Sequence, residues 1–457
     1  MEPSLKATDL GSLLDQLSKA NIEFASRYPG IQVTRQPVHT LYGGAHLYKA
    51  GIANKLGGLA LKHFGTYARD HHELADALAI NTDSARPESP GIWSLVYERT
   101  LTKLREEPVE DQRIDFEDGY GARADDEEDS HAISAAKAMA SGMKAGDLPP
   151  FTGIRIKALT EESKVRALRT LDVFLSTLTS ISGGELPDPF YVTLPKVTSP
   201  GQVAVLSRCL DLLEKTCHVH SGRIKIELMI ETIQSIFNPT GECGIPALVD
   251  AGTGRVSSAI LGTYDYTASC NIASNYQDHR HPSADFARQM MQVSLTGTAV
   301  TLCDGITNTM PIPPNKGSDL TAEQQSENRQ VVHAAWRIHF ENIMHSLKLG
   351  FYQSWDLNPG QLPIRYVAVY YFFLNGLADA SARLETFLNQ AAQASMVGNT
   401  FDDAASAQGL LNFFLSGISC GALSEDEALQ TGITIDELQG RSFMKIVENR
   451  LRAAASE

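Results

Sequence analysis

The chain has 457 residues, 43% of them hydrophobic, and 54 acids against 39 bases give a formal net charge of -15. That length supports a large core and more than one structural unit, while the charge argues against a general polyanion binder, and so against nucleic acid as main partner. No apolar run reaches about 18 residues, so no membrane span is expected.

In chain order, residues 1 to 36 read as a peripheral helical segment, with Leu10, Leu13, Leu14 and Leu17 on one helical face. Pro37 to Tyr42 is a candidate first strand, and Gly43-Gly44-Ala45-His46 follows it as a sharp turn. A helical region comes next, interrupted by a Pro/Ser/Asp loop from Asn81 to Pro90. Gln112 to Asp118 is the second strand, and the acids from Asp125 to Asp129 open a helix, where they favour its dipole. Gly153 to Lys157 is the third strand and Phe190 to Val197 the fourth. The fifth is Arg223-Ile-Lys-Ile-Glu-Leu-Met-Ile-Glu231, an apolar run that delivers a carboxylate at its end, as a buried parallel strand does. Val256 to Leu261 runs into Gly262-Thr-Tyr-Asp265 as the sixth, Ala299 to Cys303 ends at Asp304 as the seventh, and Phe351 to Trp355 is the eighth.

Helical patterns separate these strands, and eight alternations predict a closed (β/α)8 barrel over residues 37 to 375. The stretch from 311 to 349 reads as an insertion near the barrel mouth, and residues 376 to 457 as a helical C-terminal extension. The N-terminus lacks the basic-then-apolar layout of a secretory signal. Six cysteines without a CxxC pair read as reduced thiols of a cytoplasmic protein.

The strand ends carry one coherent set: Asp115, Glu117 and Asp118, then Arg155 and Lys157, Lys196, Glu231, Asp265 and Asp304. In a barrel these ends share a rim, where active sites sit. Two carboxylates with open coordination suit Mg²⁺, and an arginine suits a substrate carboxylate. The bland readings are a helix-capping acid for Glu231, a rim salt-bridge network for Asp115, Glu117, Asp118 and Lys196, and an exposed loop for His279 and His281.

Several motifs resemble the citrate lyase β-subunit and HpcH/HpaI aldolase superfamily: Asp115-Phe-Glu-Asp-Gly with its acidic sequel, Ile154-Arg-Ile-Lys, Leu194-Pro-Lys-Val, Ile230-Glu-Thr, Leu261-Gly-Thr-Tyr-Asp, Cys303-Asp-Gly, and Leu349 to Gln361. They occur in the family's order over residues 38 to 375. The resemblance implies Mg²⁺, or Mn²⁺ in its place, on Glu231 and Asp265. It implies Arg155 as a catalytic and substrate-binding residue, with Lys196, Gly262 and Thr263 beside it. Asp118 and His46 are the further catalytic candidates, His46 as a base after the double glycine. The implied activity is a lyase or aldolase that makes or breaks carbon–carbon bonds beside a carbonyl, on a 2-oxo acid. The alternatives are an acyl-coenzyme A lyase, synthase or hydrolase, and a non-catalytic metabolite-binding barrel. A homo-oligomer, trimer or hexamer, is implied, and Asp402-Asp403 is a candidate lid from a neighbouring subunit. The chain departs from the family at His39-Thr40, where many members carry Arg-Ser.

Overall fold

The structure is a computed structural model and describes residues 7–30, 34–78, 91–389, 395–397, 400–402 and 404–430, with residues 433, 434, 437, 446 and 449 beyond. Its centre is a closed parallel barrel of eight strands in sequential order. The strands are β1 (His39–Gly44), β2 (Asp111–Asp115), β3 (Phe151–Arg155), β4 (Phe190–Leu194), β5 (Ile224–Ile230), β6 (Val256–Leu261), β7 (Thr301–Ile306) and β8 (Gln353–Asp356). β8 closes on β1, with Leu41 opposite Asp356. β5 is buried along almost its whole length, as expected of a parallel strand covered on both faces.

The helices are α1 (Ala7–Arg27), α2 (Ile52–Tyr67), α3 (His71–Leu78), α4 (Ile92–Glu106), α5 (Asp125–Ala145), α6 (Lys164–Ser182), α7 (Pro200–Thr216), α8 (Ile233–Ile236), α9 (Ile245–Ala251), α10 (Thr263–Ser269), α11 (Pro282–Leu295), α12 (Ala322–Lys348), α13 (Leu362–Asn389), α14 (Ala404–Ser419) and α15 (Glu425–Leu429). A short antiparallel pair, β9 (Ser395–Val397) and β10 (Thr400–Asp402), lies between α13 and α14. Local chemistry sets the helix starts. Pro200 sits in the first turn of α7, and Ser199 with Gln202 forms a capping box there. Thr321 with Gln324 forms another at α12. The helices around the barrel bury one stripe, as α6 does with Ala167, Leu171, Phe174 and Leu178.

Three parts differ from a plain sequence reading. Of the stretch expected as an insertion, Ala322–Lys348 forms the connector from β7 to β8, and its Val332, Trp336 and Phe340 enter the main core. The helix that follows β8 runs through residue 375 without a break. α1 forms as expected, but its leucines do not pack: Leu13, Leu14 and Leu17 are 55–57% exposed.

The barrel interior alternates in chemistry. Met229, Ile260 and Cys303 form an apolar layer with Tyr42 and Trp355. Beneath it Glu227 accepts from Tyr42 Oη at 2.9 Å, Thr193 Oγ1 at 2.7 Å and Ser258 Oγ at 3.0 Å. Arg113 pairs with Asp111 and lies 4.4 Å over the Tyr191 ring. Barrel interiors are more often filled by branched aliphatics. Here the charges are buried because each has a partner.

Candidate active site

Side chains alternate along a strand, so residues two apart face the same way. In β5 this turns Glu227, Met229 and, just past the strand, Glu231 inward. In β2 it turns Arg113 and Asp115 inward. Of these, Asp115 and Glu231, the two nearest the C-terminal rim, line a cavity of about 390 Å³ there. Asp115, Asp118, Arg155, Glu231, Gly262, Thr263 and Asp265 line it on one side, and Tyr42, Ile306, Trp355 and Leu357 on the other.

Asp115 organises the β2 end of the cavity. Its carboxylate accepts from the backbone N–H of Glu117 at 2.9 Å and of Gly119 at 2.8 Å. The same carboxylate takes a two-point bond from Arg155, Nε at 2.7 Å and Nη2 at 2.5 Å. A Cβ on Gly119 would collide with it, so the turn requires glycine. Glu117 lies 3.3 Å from Arg155 Nη1. The guanidinium is 2% exposed and sits 4.9 Å over Tyr42 and 5.3 Å over Trp355. The planar fork is thus fixed in place before any ligand arrives.

Glu231 is 2% exposed. Burial, and next the nearby charge of Asp265, push its carboxyl up to about 8. One of its oxygens accepts from the Lys196 backbone N–H at 2.6 Å. Lys196 takes a left-handed φ of 50° to make that bond. A non-glycine residue there costs roughly 1–3 kcal/mol, and such strain persists where the surroundings fix it. The Lys196 ammonium bonds Glu117 and reaches Asp118 at 3.0 Å. Burial alone would lower its pKa; Glu117, Asp118 and Asp265 outweigh that and raise it. Asp118 is half-exposed; burial opposes its ionisation, but bonds to Glu117 and Lys196 prevail and hold it below the usual carboxylate range.

Lys196 therefore acts on its neighbours through backbone and ion pairs, and does not itself line the cavity. Lys157 turns away to Glu128 and to the Phe116 carbonyl. His46 also lies outside the cavity lining, beside the hydrogen-bonded pair Tyr120 and His131, with ring centroids at 5.6 and 6.2 Å. Burial, then Arg123 and His131, lower its pKa. Asp304 corrects the rim assignment. Cys303 belongs to the inner layer, so its neighbour faces outward. Asp304 bonds Arg288 at 2.8 Å and Ser346 at 2.6 Å behind the barrel wall. His279 stands beside it, 3.4 Å away, and is buried instead of exposed. His39, at the start of β1, accepts from the Glu110 N–H at 3.1 Å, far from the rim. Asp402 falls in β10, and Asp403 lies outside the described residues.

Tyr42, Tyr264, Ile306, Asn308, Trp355 and Leu357 line the cavity without having been singled out from the sequence. Alternation was the available signal for Tyr42 and Trp355, since each has the inward parity of its strand.

The donor set fits a divalent cation. Glu231 and Asp265 line the same cavity from neighbouring strand ends, and a Cβ at Gly262 would overlap the Glu231 carboxylate, so glycine makes the room. Thr263 Oγ1, buried at the same strand end, has no hydrogen-bond partner. Among the described residues no group of three His, Cys, Asp or Glu side chains is set to hold a metal. Mg²⁺ needs only one or two carboxylates when waters and substrate complete its shell.

The sequentially ordered closed parallel barrel is the fold expected from the strand-end motifs. By sequence the chain belongs to the family described as a domain of unknown function (DUF6986), whose model matches residues 17–446. No curated protein matches the chain significantly. Among solved structures, a citrate lyase from Burkholderia xenovorans LB400 is similar in fold, with a TM-score of 0.55 and 14% identity, covering 88% of this chain and 98% of that one. The protein CitE from Mycobacterium tuberculosis, solved with magnesium, acetoacetate and coenzyme A, gives a TM-score of 0.48 at 14% identity over 85% of this chain and 100% of its own. A malate synthase from Haloferax volcanii gives 0.44 at 12% identity, over 92% and 99%. The first likeness shows a shared fold and nothing finer.

Proposed function

We propose that this protein is a divalent-metal-dependent carbon–carbon lyase of the aldolase type, acting on a 2-oxo acid. One observation carries the reading: the Glu231 and Asp265 carboxylates face the same small cavity as a pre-clamped Arg155. Five acids at this rim (Asp115, Glu117, Asp118, Glu231, Asp265) meet two cations (Arg155, Lys196), so the site is short of positive charge. Mg²⁺ or Mn²⁺ on Glu231 and Asp265 would relieve that deficit and supply Lewis-acid polarisation of the 2-oxo carbonyl.

The chain's own residues do the rest. Arg155 has N–H groups beyond those given to Asp115, and these hold the oxo-acid head by charge-assisted bonds. Its partners Asp115 and Glu117 keep the fork from swinging. Asp118 lines the cavity and stays deprotonated at neutral pH, so it is placed to accept the C3 proton. Its lowered pKa limits its strength as a base, and Lys196 beside it would steady the charge.

Titration calorimetry with Mg²⁺ alone tests the reading. Glu231→Gln and Asp265→Asn should each weaken binding by at least about a hundredfold. Asp118→Asn should keep the metal and slow exchange of pyruvate C3 hydrogens with solvent. Metal affinity unchanged in both carboxylate variants would end the proposal.

A further inference from the structure

The cavity is divided by strand. Its charged groups come from the β2-to-β6 side: Asp115 at the end of β2 and Asp118 after it, Arg155 on β3, Glu231 after β5 and Asp265 after β6. The remaining arc is β7, β8 and β1. It supplies Ile306, Trp355, Leu357 and Tyr42, with Asn308 as its polar member. Among the described residues, no lysine or arginine from that arc lines the cavity. The nearest cation of β8's following helix, Arg365, is buried and taken by Asp356 at 2.7 Å. On the charged arc, Arg155 is the only cation among the described residues of the lining, and it already faces two carboxylates.

This division constrains the second substrate. A 2-oxo acid brings one carboxylate, which the charged arc can hold. Even with a divalent cation counted, the four lining acids (Asp115, Asp118, Glu231, Asp265) exceed Arg155 plus the ion by one charge, before the oxo acid adds its own. A second anionic group would add to that excess and would meet aromatic and aliphatic carbon, with the one cation near that wall, Arg155 over Tyr42 and Trp355, already paired. Desolvating an unpaired carboxylate there is costly. An apolar group gains from the same wall. The cavity, about 390 Å³, is also at the small end for a ligand site.

We infer that the acceptor half of the reaction is an uncharged aldehyde with an apolar, aryl or alkyl, substituent, seated on the β7–β8–β1 arc. This rests on the proposed 2-oxo acid chemistry. The step balances without a co-reactant. C3 of the oxo acid loses a proton to the base and forms a bond to the aldehyde carbon. The electron pair of the aldehyde C=O moves to its oxygen, which takes up a proton, giving a 4-hydroxy-2-oxo acid. Cleavage is the reverse.

The experiment has two stages, using the full chain with Mg²⁺. The first follows deuterium entering C3 of pyruvate in D₂O by NMR, with no aldehyde present. The second compares hexanal and benzaldehyde with succinic semialdehyde, glyoxylate and acetyl-coenzyme A as partners. Exchange followed by at least about a tenfold preference in kcat/KM for the apolar aldehydes is expected. Exchange with preference for a carboxylated aldehyde, with turnover of the thioester, or with no partner accepted overturns the inference while the oxo-acid reading stands. No exchange overturns both. Leu357→Lys places a cation on the apolar arc and should shift the ratio towards succinic semialdehyde by about tenfold. An unshifted ratio in that variant, with its fold intact by circular dichroism, also counts against the inference.

Discussion

Glu231 is an acid whose burial works against its own charge. Its carboxyl lies at about 8, against an ordinary value of 4.5. Between those values the folded chain holds a proton that the unfolded chain has released, so metal-free stability falls as pH rises through that window. Metal binding needs the ionised form and so must expel the proton. At pH 7 calorimetry in buffers of different ionisation enthalpy should therefore show about one proton released per Mg²⁺, and none near pH 9. The melting temperature of metal-free protein should fall between pH 5 and 8, and Glu231→Gln should flatten that slope. Identical slopes in variant and parent would mean that Glu231 does not titrate in this range. At this scale the sequence singled out Glu231 and Asp265, because they stand at strand ends within short motifs, and both line the same cavity. It did not show which way Asp304 or Lys157 point, because that depends on alternation counted from a strand boundary, and such boundaries slip by a residue or two. Nor did it show Lys196 giving its backbone N–H to Glu231, since a left-handed lysine has no sequence signature.

The elements were legible in proportion to how strongly their patterns repeat. β5, apolar and β-branched over Ile224–Ile230, was plain. β8 was expected from Phe351 and begins at Gln353. Its four residues are too few for a pattern to set the edge. A helix was expected around Val331 to Leu347, but inside an insertion, because the proline-rich Pro311-Ile-Pro-Pro before it reads as the start of one; α12 spans Ala322–Lys348. Its Trp336, fully buried and bonded through Nε1 to the Gly360 carbonyl at 3.0 Å, anchors it to the barrel. α1 is the converse case: periodicity was right about the helix and silent about burial. Its leucines face solvent, so they contribute little to the stability of this chain. Leu13→Gln with Leu17→Gln should therefore change the unfolding free energy by no more than about 0.5 kcal/mol per site. Trp336→Ala, by contrast, should cost about 3–5 kcal/mol. Chemical denaturation of both variants makes the check. A large loss in the α1 variant would show that its apolar face is covered in solution.

At the scale of the whole molecule the question is what the chain beyond the barrel does. Its apolar run from Leu410 to Leu415 was expected to need a neighbouring subunit, because a barrel sheathed by its own helices offers little free apolar surface. The structure removes that premise. Leu410, Leu411, Phe414 and Leu415 are buried in the same core cluster as Phe373 and Leu374 of α13. Phe413 meets Phe373 with ring centroids 5.2 Å apart. α14 also ties back to the entry of β1: Ser419 donates from Oγ to the Thr34 carbonyl at 2.6 Å, and its carbonyl accepts from the Gln36 N–H at 2.9 Å. Arg99 of α4 reaches over to pair with Glu427 of α15. The segment is thus fastened to the first and last units of the barrel, where the closed sheet joins its ends. The other run expected to pack on a neighbour, Phe443 to Val447, lies almost wholly outside the described residues. Burying four large apolar side chains contributes roughly 1.5–3 kcal/mol each, a substantial share of a typical net stability of about 5–15 kcal/mol. Truncation after residue 389 should therefore lower the melting temperature sharply and increase binding of a hydrophobic dye, as Phe373 and Leu374 lose their cover. This loss follows from packing within one chain, so it should not depend on protein concentration. A loss that scales with concentration would instead return the segment to an intersubunit role, and a truncated chain that melts like the full one would show that the barrel closes without it.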